Sequence, residues 1–181
     1  SGVFLRGDST WAAASAPITA YGVTVANVAN TTTETTCMSF AVDDMADGDI
    51  IWLRGSALVK NNPGSVSNFT ATLYWGSVSG AINTVNTFYD NATEAKWMMG
   101  VYMQRVGSDL WVIDAQGTSN SKPYMIASTV GHTPLQLQNA VALSSCTFDS
   151  SQTVAVKITH GVAHANTYFN VQDARAHRFS E

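Results

Sequence analysis

From Phe69 to Trp75 the chain alternates without a break. Phe69, Ala71, Leu73 and Trp75 fall on one parity, and Thr70, Thr72 and Tyr74 on the other. A period of two fits an extended strand with one face in a core and the other in solvent, since a helix would scatter those apolar residues around its surface. The stretch before it prepares the same structure. Asp47-Gly48-Asp49 makes a polar turn into Ile50-Ile51-Trp52-Leu53-Arg54, Gly55 interrupts that run, and Asn61-Asn62-Pro63-Gly64 makes a second, longer turn.

The pattern recurs along the chain. Cys37 to Val42 alternates with Met38, Phe40 and Val42 inward. Trp97, Met99, Val101 and Met103 share a face, and after the turn Val106-Gly107-Ser108-Asp109 the chain returns as Leu110 to Asp114. Leu135, Leu137, Val141 and Leu143 keep one parity, Val154, Val156 and Ile158 another, and Tyr168 to Arg175 closes the series. Tyr21 to Ala29 reads as an edge strand. Some eight strands and no convincing helix predict an all-β, antiparallel sandwich or barrel. A parallel sheet would need helical crossovers that this sequence does not offer.

Charged residues make up 12% of the chain, well below the usual quarter, and Ser, Thr, Asn and Gly carry the polarity instead. That balance suits strands and turns, and an extracellular or particle-surface protein. The net charge of −4 comes without any Lys/Arg cluster, so there is no electrostatic footprint for nucleic acid or an anionic membrane. No apolar run reaches the roughly 20 residues of a membrane span. The chain shows no signal peptide and starts at Ser1, which reads as a fragment or processed product. Its 181 residues suit one domain with a short appendage, divided as a hairpin and linker over 1–20 and a main body over 21–181.

Catalytic motifs are missing: there is no G-x-S-x-G, no H-E-x-x-H and no Gly-rich phosphate loop. His160 and His164 are four apart but flank Gly161 at a strand end, where helical metal-ligand geometry does not follow; His160 is expected to cap the inward face of its strand. Asp43, Asp44, Asp47 and Asp49 crowd a short segment without the spacing of a calcium loop, and Asp-Gly is an ordinary turn before a strand. Cys37 and Cys146 form no C-x-x-C motif and read as buried thiols. Arg6-Gly7-Asp8 spells an integrin-binding tripeptide, and equally a tight turn. The expectation is therefore a binding protein with no catalytic residue, metal or cofactor. Two long segments, Ser77 to Ala95 and Gly117 to Thr133, are expected as surface loops that touch a ligand. They supply the candidate binding residues Phe88, Tyr89, Asn91, Lys122 and Tyr124, with Tyr168 added from the last strand.

A resemblance carries the reading further. Phe4-Leu5-Arg6-Gly7-Asp8-Ser9-Thr10-Trp11-Ala12 resembles the F-L-R-G-D-G-T-W-A motif of bacteriophage tail-fibre proteins, with Ser9 where the family has Gly. In fibres that motif sits in a collar before a distal domain. From Cys37 onward the chain is similar to a phage virion β-sandwich domain, through Asp47-Gly48-Asp49 with Ile51 and Leu53, Phe69 to Gly76, the Trp97 to Arg105 hairpin, Gln152 to Lys157, and Ala165-Asn166-Thr167-Tyr168. The resemblance implies a jelly-roll-like head, similar in shape to the tumour-necrosis-factor and complement heads, on an N-terminal collar hairpin. It also implies a homotrimer in the virion that attaches to a bacterial surface glycan or outer-membrane protein. A trimer gives small outward residues such as Ala155 and Ala163 to Ala165 a neighbour to cover them. The alternatives are a capsid head fibre or decoration protein and a glycan-degrading depolymerase.

Overall fold

Two antiparallel sheets facing each other hold most of the described residues. They are seen in a computed structural model that describes residues 3–5, 11–13, 18–62, 64, 67–82, 86–88, 91–119 and 141–180. The strands in chain order are β1 (Val3–Leu5), β2 (Trp11–Ala13), β3 (Thr19–Tyr21), β4 (Thr24–Val25), β5 (Asn27–Ala29), β6 (Thr35–Val42), β7 (Ile50–Asn61) and β8 (Ser67–Trp75). They continue with β9 (Val78–Ala81), β10 (Asn86–Phe88), β11 (Asn91–Val106), β12 (Asp109–Ser119), β13 (Val141–Leu143), β14 (Gln152–His160) and β15 (Thr167–Phe179). No described residue is helical, and the β-sandwich predicted from the alternation is the architecture observed.

One sheet has the order β10-β8-β14-β6-β4, with β9 also on β8. The other has the order β13-β12-β11-β7-β15-β3, with β5 also on β15. The edge stretch from Tyr21 to Ala29 is thus split. β3 and β5 flank β15, while β4 crosses to the other sheet and pairs with β6. β3 spans the boundary placed at 20/21, since Thr19 and Ala20 pair with Arg178 and His177. β1 and β2 form a separate two-stranded sheet, with Leu5 opposite Trp11; Arg6-Gly7-Asp8 lies outside the described residues.

The core follows the parities read from sequence. Ala71, Leu73 and Trp75 of β8, Val154, Val156 and Ile158 of β14, and Met38, Phe40 and Val42 of β6 enter from one side. Ile51, Leu53, Ala57 and Val59 of β7, Met99, Val101 and Met103 of β11, and Phe169, Val171 and Ala176 of β15 enter from the other. A bulge explains one departure. The register of β6 against β14 slips between Val156 and Lys157, leaving Cys37 as the extra residue, so that Cys37 and Met38 are both buried. Burial pushes the Cys37 thiol up to about 12. Cys146 is also buried, and neither cysteine is in a disulfide.

Two expectations are corrected. Gly55 does not interrupt β7, which runs through it. An added Cβ there would sit 2.8 Å from Met38 Sδ, so the sulfur from the opposite sheet fills the space a side chain would need. Ser77 to Ala95 is not a long loop either: β9, β10 and the start of β11 occupy most of it, and β9 returns on β8 directly through Gly76-Ser77.

The Asp47-Gly48 turn is built as its composition suggests. Gly48 has φ of 90°, a left-handed conformation that glycine takes without strain. Gly107 N–H donates to Asp47 Oδ1 at 2.7 Å and Ala46 N–H to Asp49 Oδ2 at 2.9 Å. Arg178 Nε lies 3.8 Å from Asp49 Oδ2, and its guanidinium also donates to the Asp44 carbonyl. At this same turn-rich end, the indole N–H of Trp75 donates to the Thr147 carbonyl at 2.7 Å, and its ring meets Phe148 at 5.0 Å.

Candidate functional site

A sandwich whose two outer faces both met water would show polar residues on both. Here the faces differ. The outer face of the six-stranded sheet carries Thr70, Thr72, Tyr74, Ser39, Lys157 and Thr159. On it Lys157 Nζ sits 3.7 Å from the Tyr74 ring centroid, and the Tyr74 hydroxyl donates to Glu34, whose carboxylate pushes the phenol pKa up. Ala155, expected to need a neighbouring subunit, is already buried within the chain between Ser39 and Tyr74.

The outer face of the seven-stranded sheet sets a cluster of aromatic and apolar residues among charged and polar ones. The registers set Phe179, Ile50, Gln104 and Trp111 in one row across four strands, and His177, Trp52 and Tyr102 in the next. Beyond them come Arg175, Arg54 and Gly100, then Asp173, Ser56 and Met98. Trp52 and Tyr102 stack at 5.6 Å with their planes 9° apart, and His177 lies 6.3 Å from the indole. The Arg54 guanidinium covers the same indole at 5.2 Å. Met98 is 59% exposed, Trp111 41% and Phe179 37%. Gly100 lies opposite Arg54, and a Cβ added there would sit 3.7 Å from Trp52 Nε1, in ordinary contact with the indole. Patches of this kind on a soluble protein mark interaction surfaces.

The residues singled out for binding gather at one end of the sandwich, to the extent that they are described. Asn91 opens β11 opposite Asn61, and Thr167 opens β15 opposite that same asparagine. Tyr168, next in line, pairs with Lys60 and Ala29, and its hydroxyl donates to the Glu94 carboxylate. Phe88 ends β10 opposite Ser67, at the same end but on the other sheet. Tyr89, Lys122 and Tyr124 lie outside the described residues, as does most of the segment expected as a loop from Gly117, whose first residues through Ser119 are strand.

The turn from Gly161 to Asn166 completes this end. His164 Nδ1 accepts the Asn166 N–H at 3.1 Å, and the His164 carbonyl accepts the Thr167 N–H at 2.9 Å. Asn62 N–H donates to the Asn166 carbonyl and Asn30 N–H to the Thr167 carbonyl, each at 3.1 Å. The exposed groups are mainly amides, a phenol and one carboxylate, a set suited to hydroxyl-rich ligands. His160 is buried on the inward face of β14, as expected, and burial lowers its pKa, with a hydrogen bond to the Val28 backbone opposing the shift.

Among the described residues, no group of three His, Cys, Asp or Glu is arranged to hold a metal ion, and no helix is long and apolar enough to cross a membrane. Comparison with protein-family models, with curated proteins and with solved structures finds no match.

The sequence reading missed Trp52, Tyr102, Met98, Trp111 and His177. The signal was present in Ile50-Ile51-Trp52-Leu53, which is apolar on both parities. Such runs belong to strands covered on both faces.

Proposed function

We propose that this chain is a homotrimeric β-sandwich head of a phage tail fibre, displayed on the virion and attaching to the surface of a bacterial host. The observation that carries it is the unequal pair of outer faces. The aromatic face around Trp52 and Tyr102 is where copies pack, and the Thr-rich face is left to water. A heterologous packing that closes into a ring of three covers that face without leaving an open end. The sheet orders support a jelly-roll connection, because the chain passes between sheets from β6 to β7, β7 to β8, and β14 to β15. The FLRGDSTWA segment, with its flanks paired as β1 and β2, supports a collar upstream of the head.

Attachment falls to the end bearing Asn62, Asn166, Tyr168 and Glu94, with a surface glycan or outer-membrane protein as ligand. Three copies multiply weak contacts by avidity, so each site needs only modest affinity. The test is binding of the fluorescently labelled chain to a panel of bacterial strains. Saturable binding to a strain, competed by the parent virus, supports the reading. A stable trimer that binds no strain in a wide panel contradicts attachment and favours a structural part of the virion.

A further inference from the structure

The turn-rich end of the sandwich holds an open cavity of about 410 Å³, lined by Arg105, Gly107 and Ser108 on one side and residues 146–149 on the other. The turn between β11 and β12 makes the first wall, and the segment after β13 makes the second. Backbone bonds hold the two walls together: Cys146 N–H donates to the Ser108 carbonyl at 2.8 Å, and Ser145 N–H to Asp109 Oδ1 at 3.2 Å. The second wall is also fastened to the core, because the Phe148 carbonyl accepts from Met45 N–H and the Thr147 carbonyl from the Trp75 indole. Ser145 has φ of 63°, a left-handed conformation that a serine rarely adopts. A strained backbone fixed beside a cavity points to a wall held in shape for an occupant.

The lining pairs an apolar floor with polar sides. Phe148 and Cys146 are buried, and the Phe148 ring carries the Arg105 guanidinium 4.7 Å from its centroid. Arg105 is fixed further, since Nε donates to the Gly107 carbonyl at 3.0 Å and Nη1 to the Met45 carbonyl. The second Nη1 proton and the Nη2 protons have no hydrogen-bond partner among the described residues. The exposed Asp149 carboxylate likewise has no hydrogen bond or ion pair among them. A donor fork already held in place and an unused acceptor thus line the same cavity.

We propose that this cavity is a binding site for a neutral saccharide of mono- or disaccharide size. Its volume falls within the roughly 300–1,000 Å³ usual for small-molecule sites. Charge selects the ligand class. Asp47 and Asp109 stand behind the walls, bonded to the Gly107 and Ser145 N–H groups, so with Asp149 an anion would meet more carboxylates than cations. A cation would meet the Arg105 guanidinium. Neighbouring hydroxyls on a neutral sugar satisfy both groups, one accepting from Arg105 and the next donating to Asp149, while the Ser108 and Thr147 hydroxyls can do either. The cavity lies where Thr19 pairs with Arg178 and Phe179 with Ile50, at the opposite end of the sandwich from Asn62, Asn166 and Tyr168. It is therefore a second site, and it does not rest on the attachment reading.

The test is an NMR titration of the intact chain with methyl glucosides, methyl galactosides, maltose and lactose, each taken to about 100 mM to reach millimolar affinities. Saturable shifts are expected at the Gly107, Ser108, Cys146 and Thr147 amides and at Arg105 Nε–H, with Asn62, Asn166 and Tyr168 unmoved. Asp149→Ala removes an exposed group that holds no structural bond, and should weaken binding by about tenfold. Tyr168→Ala should leave it unchanged. Methyl glucuronide, the anionic counterpart of the glucoside, should bind less tightly than the neutral sugar. No saturable shift with any of these sugars, undiminished binding by a folded Asp149→Ala, or tighter binding of the glucuronide would each overturn the proposal. Shifts confined to the Asn62, Asn166 and Tyr168 end would also overturn it, and would support the attachment reading instead.

Discussion

Gly55→Ala is the sharpest probe of how the two layers meet. Glycine inside a strand is ordinarily worse than alanine by about 0.5–1 kcal/mol, so the change alone should stabilise. The new Cβ, however, would lie 2.8 Å from Met38 Sδ and 3.6 Å from its Cε, with the Asp173 carbonyl at 3.5 Å. Met38 is 1% exposed, so its sulfur has to shift within the core to admit the new methyl. Overpacking of this kind costs about 1–3 kcal/mol, so the net expectation is a loss of roughly 0.5–2 kcal/mol. Met38→Ala alone should cost about 2–5 kcal/mol for the cavity it leaves. Combined, the two should cost less than their sum by about 1 kcal/mol or more, because the alanine methyl no longer meets sulfur. Urea unfolding followed by tryptophan fluorescence, at one fixed chain concentration, gives all four corners of the cycle. Stabilisation by Gly55→Ala in the wild-type background, or additivity within about 0.5 kcal/mol, would refute the packing argument.

Further predictions concern buried polar groups. Thr167 is 1% exposed and its Oγ1 has no hydrogen-bond partner among the described residues. Thr167→Val should therefore raise stability by about 1 kcal/mol in the same assay, and a loss of that size would show that the hydroxyl is satisfied. Cys37, its thiol pushed up to about 12, should resist alkylation at pH 8 until the protein unfolds. The same shift has a pH signature. The folded state holds the thiol proton more tightly than the unfolded chain, so this contribution is complete below pH 9 and is lost as the pH rises from 9 toward 12. Denaturation midpoints measured across that interval should fall, and should fall less in Cys37→Ala.

Much of the fold was legible because a strand with one buried face writes its burial directly into its parity. Ala71-Leu73-Trp75 and Met99-Val101-Met103 are buried as that rule requires. Gly55 was misread because local propensity says nothing about a methionine arriving from the opposite sheet. The short strands β9 and β10 were hidden because edge strands need only one partner and tolerate polar, Asn-rich sequence. The candidate site was legible only in part. Asn91 and Tyr168 are more than seventy residues apart in sequence, and it is the registers of β11 and β15 on β7 that bring them to one end. The aromatic outer face was visible in the doubly apolar run at Ile50–Leu53, but its extent depends on pairing across β15, β7, β11 and β12 that no single stretch encodes.

The proposed function requires the aromatic patch on the seven-stranded sheet to be covered by other copies of the chain. The most direct measurement is the solution mass, by light scattering, of the wild type beside Trp52→Glu, a half-buried outward residue whose replacement leaves the inward parity of β7 untouched. Three chain masses for the wild type, and one for a folded Trp52→Glu, is the predicted result. A wild-type monomer, or a Trp52→Glu trimer as stable to dilution as the wild type, would contradict it.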